Sequence, residues 1–272
     1  MIPDKLSADY SENYEVSIRL MPGGLSFSGY IPTERDSFFS ETFSFDNNLP
    51  AVDSLKNIFF TNPCFSYNYR SCYVICVSVK YTLTPDPVFK ENEKIRLFNF
   101  CHSKTKSLKV LVHPVKTLNI FLSFGIDEDI YAFLVRSLAT PQFIHPLSPV
   151  LNYWQKKSLM LYPKQMHVMI REDMIDVICM QQGDLLFANS FFYDSDSDII
   201  YYIMYICRQT GFNQVEDCLS LSGNLARRQS VLSIIHKYIS KTTCFQPELK
   251  DHPSTVGLNV PMDMVALIEC GL

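Results

Sequence analysis

The chain has 272 residues, of which 47% are hydrophobic, and it carries a formal net charge of −4 with a pI near 5.9. This length suits one large domain or two of ordinary size, and the hydrophobic fraction is too high for an intrinsically disordered chain. The slightly acidic balance provides no general attraction to nucleic acid or to an anionic membrane, so we expect neither as a partner.

The start of the chain and its cysteines are informative about the cellular location of the protein. Residues 1–15 are polar and acidic without an apolar core, so we expect no signal peptide. No apolar run reaches the roughly 20 residues that a membrane helix needs. The nine cysteines are an odd number and lie mostly within apolar runs, as Cys72, Cys76, Cys179 and Cys207 do. That pattern favours buried, reduced thiols and predicts a cytoplasmic protein.

The first half of the chain opens with residues 1–13, which we expect to form a mobile arm. Alternating apolar residues then predict a hairpin whose strands cover residues 14–21 and 25–31, joined through Gly23 and Gly24. The further elements predicted for this half are a strand at 41–45, a helix at 51–60, strands at 71–82, 108–112 and 117–124, a helix at 127–138, a strand at 142–145 and a helix at 149–157.

The run at residues 71–82 is the most strand-like of the sequence. Its apolar residues would occupy both faces of an extended chain. The run therefore predicts a central strand that is covered on both sides. Residues 90–101 give no clear assignment.

Residues 165–193 predict three antiparallel strands joined by two tight turns. The apolar residues there recur at about every second position, which is the period of a strand. Glu172 and Asp173 occupy the first turn, and Gly183 supplies the positive φ that the second turn needs. A helix follows from Ile199, with acidic residues at its positive end and a glycine that can terminate it.

The rest of the second half alternates strands and helices. The predicted elements are a strand at 218–221, a helix at 227–239, a strand at 242–245, a loop at 246–259 and a final helix that begins after Pro261. Residues 158–164 form a short segment with a proline between the two halves, and we expect the domain boundary there. The predicted domains are residues 1–160 and 161–272.

Both halves thus share one order of elements, β-β-β-α-β-α-β-α. Antiparallel strands followed by alternating strands and helices imply an α/β fold with mixed sheets and helices on both faces. A duplicated unit of this kind resembles the plan of the actin, hexokinase and sugar-kinase superfamily, in which each lobe is ribonuclease H-like.

Three segments of the chain resemble a bacterial family known as domain of unknown function 3822. They are residues 14–18 (YEVSI), residues 81–89 (YTLTPDPVF) and residues 185–192 (LLFANSFF), the last of which precedes an acidic helix start. The resemblance spans nearly the whole chain and implies an actin-like ATPase fold. These segments contain no catalytic signature, so the resemblance implies no particular activity.

An actin-like ATPase needs a glycine-bearing turn with an Asp between the first two strands of each half, where main-chain amides hold phosphate. The first-half turn has Gly23 and Gly24 but no acidic residue, whereas the second-half turn has Glu172 and Asp173 but no glycine. Gly223 is the only candidate for a loop that would contact adenosine. Gly23, Gly24, Asp173 and Gly223 are therefore the candidate cofactor-binding residues, and the incomplete turns predict that hydrolysis is absent.

Other patterns predict no metal site. The acidic run at residues 194–198 begins like a calcium loop, but Ile199 stands where Gly is needed and Tyr205 where Glu is needed, so helix capping explains the acids better. Cys72 and Cys76 would lie about 13 Å apart along a strand, too far to share one zinc ion. The six histidines show no paired ligand spacing.

Basic and aromatic residues suggest surfaces that could meet a partner. Arg227 and Arg228, with Lys237 and Lys241, form one basic locality, which we interpret as a solvated helix face. The tyrosines of the helix that starts at Ile199 could meet another surface, which belongs either to a partner or to the other half of this chain.

Three functions remain open. The first is a non-catalytic actin-like scaffold that has lost its phosphate-binding loops and binds a protein partner. The second is a divergent ATP-binding protein, ATPase or kinase that uses the interlobe cleft, with ATP and magnesium as cofactors and Asp173, Glu172 or Asp176 as metal ligands. The third is a module that binds a small ligand in that cleft without hydrolysis. The incomplete turns favour the first function, which needs no cofactor and no enzyme activity.

Overall fold

A computed structural model describes residues 2–3, 5–102, 107–255 and 260–271. The chain divides by its contacts into two compact units. Unit 1 comprises Met1–Val115, Asn119–Ser148 and Lys250–Thr255, and unit 2 comprises Lys116–Leu118, Pro149–Leu249 and Val256–Leu272. The division into domains at residues 1–160 and 161–272 stays a prediction.

Unit 1 contains eight strands and three complete helices among its described residues. The strands are β1 (Glu15–Met21), β2 (Gly24–Tyr30), β3 (Phe39–Ser44), β4 (Ser71–Cys76), β5 (Tyr81–Pro85), β6 (Leu108–Val115), β7 (Ile120–Asp127) and β8 (Gln142–Ile144). The helices are α1 (Ala51–Thr61), α2 (Lys94–Cys101) and α3 (Glu128–Ser137). A further helix, α4 (Leu147–Ser158), belongs to unit 2 from Pro149 on.

Five of these strands form a mixed sheet in the order β3-β2-β1-β4-β8. The first three strands are antiparallel, and β1, β4 and β8 are parallel to one another. Because β4 lies between β1 and β8 and is largely buried, the prediction of a central, covered strand there is confirmed.

The prediction of one continuous strand over residues 71–82 is wrong. The chain leaves the first sheet after Cys76, and β5 joins β6 and β7 in a separate antiparallel sheet of order β5-β7-β6. Between the two strands, the Ser78 hydroxyl bonds the main chain of Lys80, which interrupts the extended conformation. Both segments are rich in β-branched and aromatic residues, so the pattern could not show that the pairing partner changes.

Unit 2 repeats the five-stranded plan. Its strands are β9 (Gln165–Ile170), β10 (Met174–Gln181), β11 (Asp184–Phe192), β12 (Cys218–Gly223) and β13 (Lys241–Cys244), and its further helices are α5 (Asp196–Thr210), α6 (Leu225–Ile235) and α7 (Met262–Cys270). The sheet order is β11-β10-β9-β12-β13, with β9, β10 and β11 antiparallel and β9, β12 and β13 parallel. The three-strand hairpin run and the capped helix predicted for residues 165–210 are confirmed.

The turns and the core explain why these residues form this unit. Gln182 and Gly183 both have positive φ, which is the conformation that a two-residue hairpin turn between right-twisted strands requires. On one face of the sheet, alternate residues of β9 and β10 pack against the buried face of α5 and against α6. Gly211, with φ of 61°, ends α5 as the sequence predicts.

Two other expectations concern the start of the chain and membrane helices. Leu6 and Ser11 are buried, and the Ser11 hydroxyl donates to the carbonyl of Asn68 at 2.6 Å, so the described part of residues 1–13 packs on unit 1 and is not a mobile arm. None of the helices in the described ranges combines the length and apolar character needed to cross a bilayer.

Candidate functional site

The turn between β1 and β2 contains the two candidate glycines of unit 1. Met21 pairs with Gly24, so Pro22 and Gly23 form a two-residue turn. A Cβ atom added to Gly24 would lie 2.2 Å from the Phe43 carbonyl oxygen, because β3 approaches the backbone there. A Cβ atom added to Gly23 would meet nothing within 4 Å. The absence of a side chain at Gly24 is therefore required by the packing of its own sheet.

The turn between β9 and β10 contains the candidate acid of unit 2. The Arg171 amide donates to the Met174 carbonyl at 2.9 Å, so Glu172 and Asp173 form a two-residue turn with exposed side chains. The hydroxyl of Tyr193 donates to the carbonyls of Arg171 and Glu172 at 2.7 and 2.9 Å. These bonds hold the turn from outside the hairpin.

Gly23 and Asp173 occupy the same place in their units. Each is the second residue of the hairpin turn, and the carbonyl of each accepts a hydrogen bond from the chain just after the third strand. The Phe45 amide donates to Gly23 at 2.9 Å, and the Tyr193 amide donates to Asp173 at 3.2 Å. The glycine and the acid of a phosphate-binding turn are thus divided between two equivalent positions.

Gly223 lies at the end of β12, beside the last residue of β9. Its φ is 92°, and an added Cβ atom would lie 2.1 Å from the Ile170 carbonyl oxygen. The following amide, that of Asn224, donates to the same oxygen at 2.8 Å. Because Ile170 precedes the turn directly, the fold brings Gly223 and Asp173 to one end of the unit 2 sheet. Gly23 and Gly24 are in unit 1.

Asp176, the third candidate metal ligand, is only 2% exposed and already has strong partners. Its Oδ2 atom accepts from Nε and a terminal nitrogen of Arg171 at 2.7 and 2.6 Å, and its Oδ1 atom accepts from the Ser190 hydroxyl at 2.5 Å. A carboxylate bound in this way has both oxygens occupied by donors. It therefore positions Arg171 and β11.

The acids at the start of α5 also have structural partners. The Asp198 carboxylate accepts from the amides of Asp194 and Ser195 at 3.1 and 2.9 Å, which caps the helix. Asp196 binds Arg227 of α6 at 2.8 Å and accepts a hydrogen bond from the Ser230 hydroxyl. The Ser230 hydroxyl, aided by the Arg227 guanidinium, holds the pKa of Asp196 below its usual value. Capping by Asp198 agrees with the sequence prediction, whereas the pairing of Asp196 with Arg227 was not predicted.

In the part of the chain that the structure describes, no three His, Cys, Asp or Glu side chains are grouped to hold a metal ion. The family model described as "Protein of unknown function (DUF3822)" matches residues 3–242.

The chain belongs to this family.

Solved structures identify the fold of this DUF3822 chain. A Bacteroides thetaiotaomicron protein described as having an actin-like ATPase fold and unknown function is 30% identical, with a TM-score of 0.84 over 99% of this chain and 100% of that chain. The PilM–PilN type IV pilus biogenesis complex contains a chain that is 10% identical, with a TM-score of 0.55 over 93% of this chain and 96% of that chain. No curated protein matches. The expected actin-like fold with two similar lobes is confirmed.

Four cysteines of the DUF3822 chain have the properties of structural thiols and not of nucleophiles. Cys72, Cys76, Cys179 and Cys207 are buried, as the sequence predicts. Burial raises the pKa of Cys72 to about 12 and that of Cys179 to about 11. Because the thiolate is the reactive form, these thiols are unreactive near neutral pH.

A buried histidine lies on the other face of the unit 2 sheet. The ring of His167 stacks on that of Trp154, with centroids 3.4 Å apart and planes at 9°. Burial and, to a smaller extent, Lys157 lower the pKa of His167 to about 3. The buried His167 Nδ1 and Trp154 Nε1 atoms have no hydrogen-bond partner among the described residues. His167 is therefore neutral at pH 7.

The basic locality at the start of α6 is only partly solvated. Arg228 is buried, and its terminal nitrogen donates to the Phe245 carbonyl at 3.0 Å and to the Gln246 side-chain oxygen at 3.1 Å. The prediction of a fully solvated basic face is wrong for this residue. Arg228 fixes the chain after β13, whereas Arg227 reaches Asp196.

Sequence reasoning missed the residues that hold the candidate turn in place. Arg171, Tyr193 and Asn224 each bond it or its neighbouring strand end. Only Arg171 could have been found from the sequence. It directly precedes the hairpin turn, and Asp176 is the third residue of the strand that follows, so the two side chains lie close together across the hairpin. Tyr193 and Asn224 reach the turn through tertiary contacts.

Proposed function

We propose that this DUF3822 protein has an actin-like fold without nucleotide hydrolysis and acts by binding a protein partner. The observation that carries the proposal is the surroundings of Gly24 and Gly223. The space beside each of these glycines is filled by a carbonyl of its own sheet, at 2.2 Å and 2.1 Å from an added Cβ atom. On that side each glycine faces the backbone of its own sheet, so its missing side chain serves the packing of the sheet and makes no space for a phosphate group.

The acidic residues support the same proposal. A phosphate-binding turn needs open main-chain amides together with an acid that orients metal or water. Gly23 has no acid in its turn, and Asp173 has no glycine in its turn. The Asp176 carboxylate is bound by Arg171 and Ser190. The residues at these turns therefore do not fit ATP with magnesium.

A role in partner binding is consistent with the fold of a similar structure. A chain of the PilM–PilN type IV pilus biogenesis complex shares this fold. The fold therefore can serve a protein that works in an assembly. We also propose a cytoplasmic location, because the buried thiols of Cys72 and Cys179 suit a reducing compartment.

The test is isothermal titration of the full chain with ATP and magnesium at high protein concentration, followed by a phosphate-release assay. We expect no heat of binding and no phosphate. Saturable binding with phosphate release would overturn the proposal.

The alternative is a divergent ATP-binding protein or ATPase, which is favoured by the exposed carboxylates of Glu172 and Asp173. Under it, Asp173→Ala abolishes a turnover that the wild-type protein shows with ATP and magnesium. Asp184→Ala is the matched control, because Asp184 is an exposed acid beside the next hairpin turn of the same sheet. If the wild-type chain has no turnover, the alternative fails.

A further inference from the structure

Strand β11 forms one edge of the unit 2 sheet and is unusually long for an edge strand. It has nine residues, pairs with β10 on one side, and pairs with no other described strand. The other edge strands of the described sheets are shorter, with six residues in β3, three in β8, four in β13, five in β5 and eight in β6. All of them except β8 also contain a charged residue or a proline, namely Glu41 in β3, Lys241 in β13, Pro85 in β5, and Lys109 and Pro114 in β6.

Natural proteins usually protect an exposed edge with lysine, proline, a bulge or a short length. After Asp184, β11 contains no charged residue and no proline. Its one protective feature is a bulge at Leu186, where the register with β10 shifts. Beyond the bulge, the Ser190 amide donates to the side-chain oxygen of Asn189 at 2.9 Å, a local bond that an incoming strand can replace. The edge is therefore suited to accept a further strand.

An aromatic surface continues from this edge onto α5. It consists of Phe187, Phe191, Tyr201, Tyr202 and Tyr205. The rings of Phe191 and Tyr202 stack at 4.4 Å, Phe187 lies parallel to Phe191 at 6.3 Å, and Tyr201 lies beside Tyr205 at 6.2 Å. The two β11 residues and Tyr202 are half-buried, whereas Tyr201 and Tyr205 are exposed.

A strand added to β11 would place every second side chain over this aromatic surface. Phe187 and Phe191 point to the α5 face, because they pack with Tyr202 against the core beneath that helix. Side chains of neighbouring strands on one face lie about 5 Å apart. Apolar side chains at alternate positions of the incoming strand would therefore contact the aromatic surface.

The net charge near the two ends of β11 is acidic, because the two arginines near its C-terminal end, Arg171 and Arg227, are each paired with a carboxylate, that of Asp176 and that of Asp196. Asp184 is exposed where the strand begins, and Asp173, Glu172 and Asp194 are exposed near the point where it ends. The two ends are separated by about 30 Å, the length of nine extended residues. A second copy of β11 in antiparallel pairing would bring Asp184 next to the acids of the other chain, which is unfavourable. A basic strand would complement both ends.

We propose that β11 is a docking site for an extended, basic segment of a protein partner, which binds as a sixth strand with apolar residues at alternate positions. This proposal rests on the proposed function as a partner-binding protein. Main-chain hydrogen bonds supply the affinity, the aromatic surface selects the alternating apolar side chains, and the acidic ends select basic flanks.

The probe is a fluorescein-labelled peptide, acetyl-KTFTFTFTK-amide, titrated with the full chain in a fluorescence anisotropy assay. We expect saturable binding that weakens at least about tenfold when glutamate replaces both lysines. Methylation of alternate amides on one edge of the peptide should abolish binding, whereas methylation on its other edge should leave binding intact, because an added strand uses one edge only.

The protein variant is Leu186→Lys with Phe192→Lys, which places charge on two β11 side chains that are 41% and 59% exposed. The matched control is Val215→Lys with Tyr238→Lys, which adds the same charge at exposed positions elsewhere in unit 2. We expect the β11 variant to bind the peptide at least about tenfold more weakly and the control to bind as wild type does. Circular dichroism and melting curves check that both variants are folded.

Three results would overturn the β11 proposal: no peptide binding by the wild-type chain, equal binding by the β11 variant, or a wild-type dimer that the β11 variant converts to a monomer. The last result would identify a second copy as the occupant. ATP hydrolysis by the wild-type chain would instead overturn the proposed function. The two proposals therefore fail in separate measurements.

Discussion

The two five-stranded sheets have the same main-chain plan and different side chains at its turns. Both sheets have three antiparallel strands followed by two parallel strands in the same spatial order. The carbonyl of Leu20 accepts from the Val77 amide at 3.1 Å, and the carbonyl of Ile170 accepts from the Asn224 amide at 2.8 Å. Equivalent hydrogen bonds are thus present in both units although the turn residues differ. The plan depends on backbone pairing more than on any particular turn sequence.

The units hold their first hairpin by different means. In unit 1 the backbone of β3 packs directly on Gly24. In unit 2 the equivalent place is Met174, and Arg171, Asp176 and Tyr193 brace the turn through side chains. This difference shows that a glycine at the turn of one unit need not serve a ligand, since the other unit closes the same turn without one.

The largest effect should come from filling the space beside the packed glycines. Gly24→Ala and Gly223→Ala should each lower the free energy of unfolding by on the order of 3 kcal/mol, because the new Cβ atom meets a carbonyl oxygen and, at Gly223, φ is positive. Chemical denaturation of the purified variants measures this loss. Gly23→Ala is the adjacent control and should cost less than about 1 kcal/mol. A Gly23→Ala variant as unstable as Gly24→Ala would refute the packing explanation.

The second-largest effect should come from removing a side chain that braces the first hairpin of unit 2. Asp176→Ala should lower the free energy of unfolding by about 3 kcal/mol, because it removes a buried carboxylate that binds Arg171 and accepts a hydrogen bond from Ser190. Ser26 holds the equivalent position in β2, and Ser26→Ala should cost about 0.5 kcal/mol. Urea titration compares the two variants. Similar losses would mean that the ion pair contributes little to the difference between the units.

The pH dependence of stability should reveal His167, whose equivalent position in unit 1 is Ser17. The folded-state pKa of His167 is about 3 and its unfolded value is about 6.5. The unfolded chain therefore binds the extra proton first, and stability falls as the pH drops from about 6.5 towards 3, by up to about 1.4 kcal/mol per pH unit. The resulting loss at pH 5 is about 2 kcal/mol.

Denaturation midpoints between pH 7 and pH 4 test this dependence. His167→Gln should flatten the slope relative to wild type, even where it lowers stability at pH 7. Burial also lowers the pKa of His113 in unit 1, so His113→Gln is the control. This variant should keep the part of the pH dependence of stability that is due to His167. An unchanged slope in His167→Gln would contradict a buried neutral His167.

The smallest effect should be equal in the two units, because they cap the corresponding helix in the same way. Oδ1 of Asp127 accepts from the amides of Asp129 and Ile130 at the start of α3, and Oδ1 of Asn224 accepts from the Arg227 amide at the start of α6. Asp127→Ala and Asn224→Ala should each cost about 1 kcal/mol. Thermal melting measures both. Both variants keep the main-chain amide of the capping residue, so a much larger loss at Asn224 would contradict an equal contribution of the two side-chain caps.

Much of the fold could be predicted from local patterns. The hairpins over β1–β2 and β9–β11 followed from a period of two and from turn residues such as Gly183. The helix α2 and the separate sheet of β5, β6 and β7 did not follow. A strand pattern records which faces are buried, but it does not record which strand supplies the hydrogen bonds.

The candidate site was predicted in part. The sequence indicated that glycine and acid are separated between the two halves, and the structure places Gly23 and Asp173 at equivalent turn positions. It could not indicate that carbonyls of Phe43 and Ile170 fill the space beside Gly24 and Gly223, since those contacts join residues far apart along the chain. The partners of Asp176 and the burial of Arg228 likewise depend on long-range packing.

The sequence by itself determined the α/β class, the duplicated order of elements, and the residue types available at each turn, because these depend on periodicity and on conformational preferences of neighbouring residues. Only the tertiary structure decided which strands pair, which glycines are enclosed, and which of the described strands, β11 among them, lie at a sheet edge. Those properties arise from contacts between distant segments, whose geometry is set by the packing of the whole unit and not by any local run of residues.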